Sequence, residues 1–238
     1  MRILDSNFFL ESLEPGMAAL NSDESFHIAK VFRASPGDSL TLCDGKGRFA
    51  DAELAEANPK ACKVLIKSVS EQDKQPKIHL AIACLSDGSE EGIVFHVAQL
   101  PLAAIHLLRT ERSLEPRNSD LGKLRRRLEA KSLASLKQSR KGWLTEIKAP
   151  VYLNEFLETF KGSLIVCDQN GEDTPPKIEE LTAVLTGPEG GFSPAELEAI
   201  KGKGAFFLSL GATRLRSASA PVFALAKVIF SCSAKTAL

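Results

Sequence analysis

Apolar and polar positions follow two different patterns along this chain, and the change falls near residue 75. Before it the runs are short and alternating. Ser39-Leu40-Thr41-Leu42-Cys43 alternates as a half-buried strand does, Asp44-Gly45-Lys46-Gly47 is a hairpin signal, and Phe49 to Leu54 returns as the partner strand. Lys63–Val69 reads as a third strand. Upstream, His27–Arg33 sets Ile28, Val31 and Phe32 on one side of a short helix, which Pro36-Gly37-Asp38 ends as a turn. Short strands closing on hairpins predict a small barrel. After residue 75 the runs are apolar nearly throughout: Ile78–Cys84, Ile105–Leu108, Leu164–Asp168, Ala183–Leu185 and Phe206–Leu210. Helical stretches lie between and after them, over Ile93–Leu100, from about Leu121, over Val151–Phe160, from Pro194, and from Ala218 to about Ala234. That alternation predicts an α/β domain with a mostly parallel sheet. The polar stretch Glu71–Lys77 contains a proline and marks the boundary, giving domains 1–73 and 74–238.

Two strand–loop–helix units near the C-terminus stand out. Ala183-Val184-Leu185 leads into Thr186-Gly187-Pro188-Glu189-Gly190-Gly191-Phe192, whose glycines give a loop of little bulk with access to positive φ. Ser193 is a good N-cap, Pro194 suits the first helical position, and Glu196 completes a capping box. The second unit runs from Phe206–Leu210 through Gly211-Ala212-Thr213-Arg214-Leu215-Arg216-Ser217 into the last helix. Two such loops at one edge of a sheet define a ligand site contacted mostly by backbone. The glycine loop has neither the Lys-Ser/Thr of a P-loop nor a G-x-G-x-x-G fingerprint.

Composition changes the picture little. The 238 residues suffice for a real core, and 44% hydrophobic with 25% charged is ordinary globular usage. Net charge is zero, so attraction to nucleic acid must be local. It is found between Lys123 and Lys141, where eight Lys or Arg face one acid, Glu129. The same helix buries a stripe of Leu121, Leu124 and Leu128, continued by Leu133 and Leu136, so a solubilising face is the plainer reading of its charge. Five scattered cysteines without a C-x-x-C pair argue against a disulfide framework or a zinc site and fit a reducing cytoplasm. No run is long and apolar enough to span a bilayer.

Leu185–Pro194 followed by Leu208–Ala220 resembles the C-terminal signature of the SPOUT class of RNA methyltransferases. More narrowly, it resembles the ribosomal RNA small subunit methyltransferase E family. The family's L-x-G-P-E-G-G-[FW]-[ST]-x-x-E is matched throughout by Leu185–Glu196. Of its S-L-G-x-x-[IL]-L-R-x-E-T-A, Ser209-Leu210-Gly211 and Leu215-Arg216 match, while Ala218-Ser219 stands where Glu-Thr is common. His27, Val31, Arg33, Gly37-Asp38 and Asp44-Gly45-Lys46-Gly47 resemble that family's PUA-like barrel, and Glu111-Arg112-Ser113 its E-R-S. Gln138 and Ser139 match its E-Q-S-x-R, with Lys137 in place of glutamate. The largest departure is His96-Val97-Ala98-Gln99-Leu100-Pro101-Leu102, where the family usually has K-A-T-E-L-G-V.

The resemblance implies a PUA-like barrel, then a SPOUT-like domain whose C-terminal segment passes through a trefoil knot. It implies S-adenosylmethionine held between the two loops by Leu185, Thr186, Gly187, Pro188, Glu189, Gly190, Leu208, Ser209, Leu210, Gly211, Leu215, Arg216 and Ser217. The implied reaction is methyl transfer to N3 of a uridine in small-subunit (16S) ribosomal RNA. Arg216 is the catalytic candidate, for negative charge developing on the uracil. Arg33, Arg112, Gln138 and Arg140 are the RNA-binding candidates. Trp143, the single tryptophan, is either a base-stacking platform or packing beside the helix, and His27 and His96 read as packing residues. The last helix is apolar around most of its circumference, which points to a homodimer. No metal is expected. The alternatives are a SPOUT-fold RNA-binding protein without methyltransferase activity and a SPOUT methyltransferase acting on another RNA.

Overall fold

The computed structural model describes residues 3–72, 75–85, 87–113, 121–178 and 181–233. The chain divides into two compact units, 1–75 with 133–144, and 76–132 with 145–238. The expected boundary at residues 73 and 74 lies outside the described residues.

The first unit is a five-stranded sheet in the order β1 (Ile3–Phe9), β3 (Ser39–Cys43), β4 (Arg48–Glu56), β5 (Lys63–Glu71), β2 (Gly16–Ala19). Strand β1 joins β3 in parallel, and the other pairings are antiparallel. β3 has the predicted bounds. The hairpin after it is held by Asp44, whose Oδ1 accepts from the N–H groups of Lys46 and Arg48 at 2.7 and 3.1 Å. The sequence reading missed β1, β2 and the true start of the first helix. That helix, α1 (Ser22–Phe26), is capped by Asn21, which accepts from the Glu24 N–H, and continues as a π turn over His27–Val31. The His27 ring packs edge-on against Phe8 and Phe32, a packing role. Phe8, Leu13, Ile28, Leu42, Leu54 and Val64 form this unit's core. The segment Gly142–Leu144 adds to the hairpin: the Gly47 N–H donates to the Gly142 carbonyl and the Leu144 N–H to the Gly45 carbonyl. Trp143 packs against Gly47, where an added Cβ would sit 2.5 Å from the indole.

The second unit is an all-parallel sheet among the described residues. Its order is β12 (Phe206–Leu208), β10 (Ser163–Glu172), β11 (Thr182–Thr186), β6 (Ile78–Ala83), β7 (Leu102–Arg109), β8 (Glu146–Ile147), with β9 (Val151–Tyr152) also on β7. Parallel sheets are covered on both faces, which is why their strands read as nearly continuous apolar runs. Period 2 divides each strand between two cores. Val184 enters one core with Leu80, Ile82, Ile105 and Ile165, under α2 (Glu90–Val97), the first half of α3 (Leu121–Ser139) and α6 (Ala220–Ser233). Ala183 and Leu185 enter the other with Ala81 and Val166, under α4 (Leu153–Thr159) and α5 (Pro194–Gly202). One expectation is corrected here: the strand expected to end at Asp168 runs on to Glu172. Its backbone has a partner, since Glu172 pairs with Leu208 and its carbonyl accepts from the Ser209 N–H at 2.9 Å. Gly171 permits that approach, because a Cβ there would lie 2.6 Å from the Phe207 backbone.

Two histidines meet on the α4 side of this sheet. His79 Nδ1 and His106 Nε2 are 2.8 Å apart, their rings are stacked, and Phe156 and Phe160 close over them. Burial first, then His79 and Lys148, push His106 down to about 4, and burial also lowers His79. The unfolded chain therefore binds protons that the folded chain refuses between pH about 6.5 and about 4. Stability is full above the unfolded value and falls as pH drops through that window. Thermal melts across it should show this loss, and a His106→Gln variant should show a shallower one; an unchanged slope would exclude the pair as its source.

Candidate functional site

The two loops leave the same edge of the parallel sheet. β11 is buried along its whole length and delivers Gly187 at its C-terminal end. The loop turns where the Gly191 N–H donates to the Pro188 carbonyl at 2.8 Å, with Gly191 at φ +67°. It closes on the predicted capping box: Ser193 Oγ accepts from the Glu196 N–H at 3.2 Å, and Glu196 Oε2 accepts from the Ser193 N–H at 2.8 Å. The other oxygen, Oε1, accepts from the Glu111 N–H at 2.8 Å and so ties the end of β7 to the start of α5. Arg112 adds a second tie. Its Nη1 donates to the Gly190 carbonyl at 2.8 Å and to that of Phe192 at 3.4 Å, and its side chain lies against Gly190.

The second loop follows β12. Its start is fixed by Lys227 of α6, whose ammonium donates to the Ser209 carbonyl at 2.8 Å, and by Ser209 Oγ, which accepts from the Gly211 N–H at 3.1 Å. Gly211 holds φ +111°, and a Cβ there would meet no atom within 4 Å. Arg214 reaches across to the first loop, donating from Nη2 to the Glu189 carbonyl at 3.4 Å.

Between the loops lies a cleft of about 440 Å³. Of the expected cofactor residues, Thr186, Gly187, Pro188, Glu189, Gly190, Leu210, Gly211, Leu215 and Ser217 line it. Leu185 and Leu208 are core residues that anchor the two loops, and Ser209 shapes the second loop's start. Arg216 is exposed outside the lining, near enough to Asp87 to depress that carboxyl after the Ser89 hydrogen bonds have done so. The sequence reading did not single out Cys167, Gln169, Asn170, Thr213 or Arg214, which also line the cleft. The polar run Asp168-Gln169-Asn170, directly after an apolar strand, was the available signal for the β10 end. Burial pushes the Cys167 thiol up to about 12, which favours its protonated form.

The RNA-binding candidates are distributed differently. Arg112 is engaged with the glycine loop. Arg33, Gln138 and Arg140 belong to the first unit and are exposed. Arg33 and Arg140 each follow a helix end with φ of +51° and +56°, the two non-glycine residues so placed among those described. Such a conformation costs about 1 kcal/mol. The basic run is partly neutralised by the fold. Arg125 pairs with Glu129, Arg127 and Lys131 with Glu91, and Lys137 with Glu24 at 2.6 Å. Burial lowers Lys141 to about 8. His96 is exposed on α2 and does not line the cleft.

Loops from the C-terminal edge of an all-parallel sheet, meeting over a glycine-walled cleft in a chain that opens with a PUA-like unit, define a SPOUT-like protein. Residues 72–229 match the RNA methyltransferase domain and residues 20–67 the RNA methyltransferase PUA domain. The chain belongs to this RNA methyltransferase family. Among curated relatives, it is 28% identical over 230 residues to the ribosomal RNA small subunit methyltransferase E of Synechocystis, covering 92% of this chain and 74% of that one. A Legionella pneumophila structure in complex with the bound cofactor SAM is 28% identical, with a TM-score of 0.84 over 94% of this chain and 97% of that one. The ribosomal RNA small subunit methyltransferase E of Neisseria gonorrhoeae, bound to S-adenosyl methionine, shares the fold at 21% identity and a TM-score of 0.84, over 93% and 95% of the two chains.

Glu196→Ala strands the buried Ser193 N–H, at about 1–3 kcal/mol, and the part-buried Glu111 N–H, at less than that. Denaturant unfolding should register a loss of roughly 2–4 kcal/mol for it, against less than about 1 kcal/mol for Arg112→Ala, whose contacts are exposed. The reverse order would mean that the arginine, and not the carboxylate, holds the loop.

Proposed function

We propose that this protein transfers a methyl group from S-adenosylmethionine to N3 of a uridine in small-subunit ribosomal RNA. The observation that carries the reading is the convergence of the Gly187–Gly190 loop and the Leu210–Ser217 loop on one cleft. Its residues fit the cofactor. The volume is within the usual range for such ligands. Gly211 leaves open space where any side chain would project, and Asp168 and Glu189 bring carboxylates to the lining, which suit a cationic ligand. S-adenosylmethionine supplies an electrophilic methyl group on a cationic sulfur. The protein's part is to hold that methyl and the uridine nitrogen in line, which by itself is a large rate factor. A uridine N3–H is a weak acid, so charge on the uracil oxygens must be stabilised as the proton leaves. Arg216 remains the candidate for that role, with Arg214, already in the lining, beside it in the same loop. Arg33, Gln138 and Arg140 are assigned to phosphate contacts that position the RNA. The close passage of β10 and β12 at Gly171 is compatible with a trefoil crossing of the C-terminal segment.

Among the described residues no helix is long and apolar enough to cross a membrane, and no group of three or more candidate metal ligands occurs. We assign the protein to the cytoplasm, where ribosomal subunits are its substrate.

Unmodified small ribosomal subunits incubated with labelled S-adenosylmethionine should gain label on one uridine N3, and Gly190→Trp should abolish it. Label on another atom would overturn the uridine assignment. Cofactor binding without label would direct the search to another RNA. Neither binding nor label would favour an RNA-binding protein that no longer methylates, a reading that Ala218 and Ser219 invite.

α6 exposes Phe223 and Phe230, seven residues apart on one face and 56% and 61% accessible. We assign that face to a homodimer contact. Light scattering at micromolar concentration should give twice the chain mass, and Phe230→Asp should lower it; a monomeric wild type refutes the assignment.

A further inference from the structure

A second hollow, of about 310 Å³, opens at the same edge of the second unit's sheet. Its wall is made by the end of β7, the start of α4 and the first turns of α5. Tyr152, the single tyrosine of the chain, ends β9 and sits opposite Arg109 in the parallel register. The Arg109 guanidinium carbon is 5.2 Å from the centre of the tyrosine ring, and its Nη1 donates to the phenol oxygen at 3.4 Å. Even so, Tyr152 is 60% exposed. The fold does not need an aromatic there. The core beneath is filled by Leu153 and Phe156, and Tyr152 caps α4 without a side-chain bond. Asn154, exposed beside the ring, brings an amide to the same hollow.

We propose that Tyr152, backed by Arg109, is a stacking platform for one unpaired nucleobase of the RNA substrate. The inference rests on the RNA methyltransferase reading above. A flat π face with a cation behind it suits a base of any identity, and the Asn154 amide suits its hydrogen-bonding edge. The occupant is single-stranded RNA because a base within a helix cannot offer its face. The two hollows are joined by a short chain of contacts. Glu196 lines the second hollow and accepts from the Glu111 N–H, and the next residue, Arg112, holds Gly190 of the cofactor cleft. A strand stacked at Tyr152 therefore lies against the same loop assembly that walls the methyl donor.

The test uses the full chain, with a fluorescently labelled oligouridylate as probe and small ribosomal subunits as substrate. Tyr152→Ala should weaken oligouridylate binding roughly tenfold and raise KM for the subunits, leaving kcat, cofactor affinity and the melting temperature unchanged. Tyr152→Phe should bind as wild type does. In Tyr152→Trp the new indole emission should be quenched by the oligomer, a readout independent of the alanine variant's folding. Wild-type affinity in Tyr152→Ala overturns the proposal, as does an equal loss in Tyr152→Phe, which would assign the phenol a structural bond to Arg109. A changed oligomeric state in Tyr152→Ala overturns it too, by making the ring a subunit contact. Retained stacking in a wild-type protein that methylates no RNA supports the platform and removes the enzymatic reading instead.

Discussion

The second unit's chemistry depends on one carboxylate. Glu196 is buried, and each of its oxygens accepts from a backbone N–H of a different segment, Ser193 at the start of its own helix and Glu111 at the end of β7. A capping box ordinarily fixes a helix start. Here the spare oxygen extends it into a clamp between two strand ends that the sheet order separates by β6. The glycine loop is thus pinned at both ends, by the buried strand before it and the clamped helix after it. Preorganised loops bind ligands without a further ordering cost, so the clamp acts on affinity although Glu196 does not line the cofactor cleft.

A cleft walled by loop backbone also explains how relatives at 28% identity superpose with a TM-score of 0.84. Backbone donors and acceptors persist through side-chain substitution so long as the glycines keep their φ values and the strands keep their burial. The departures noted are at Ala218-Ser219 and along His96–Leu102, which runs from the end of α2 into β7 and does not line the cleft.

The parts of the fold legible in the sequence are those set by near neighbours. The Ser193–Glu196 box, the β3 strand and the Asp44–Gly47 turn each follow from a few adjacent residues and are observed as expected. What was not legible depends on partners distant in sequence. Polar composition could not reveal that Glu172 pairs with Leu208, or that Leu133–Leu144 would cluster with residues before 76 through Trp143 on Gly47. The basic run read as either a solubilising or a phosphate-contacting face; Glu24 and Glu91, far away in sequence, take up three of its cations, and Glu129 a fourth. Nor does any local pattern place Arg109 over Tyr152, since 43 residues separate them.

Arg33 and Arg140 join the two kinds of information. Helix ends are commonly finished by glycine, because a left-handed residue with a Cβ is strained. This chain uses glycine freely at such φ values elsewhere, at Gly37, Gly45 and Gly47 in the same unit. At the two helix ends it carries arginine instead, in both cases exposed. A strained conformation persists where something other than stability maintains it. A left-handed arginine also points differently from one in the helix, so the strain fixes the direction in which the charge is offered. A fixed direction of this kind suits the phosphate contacts proposed for these two cations, whereas several of the more numerous basic residues of the helix face are already paired by the fold.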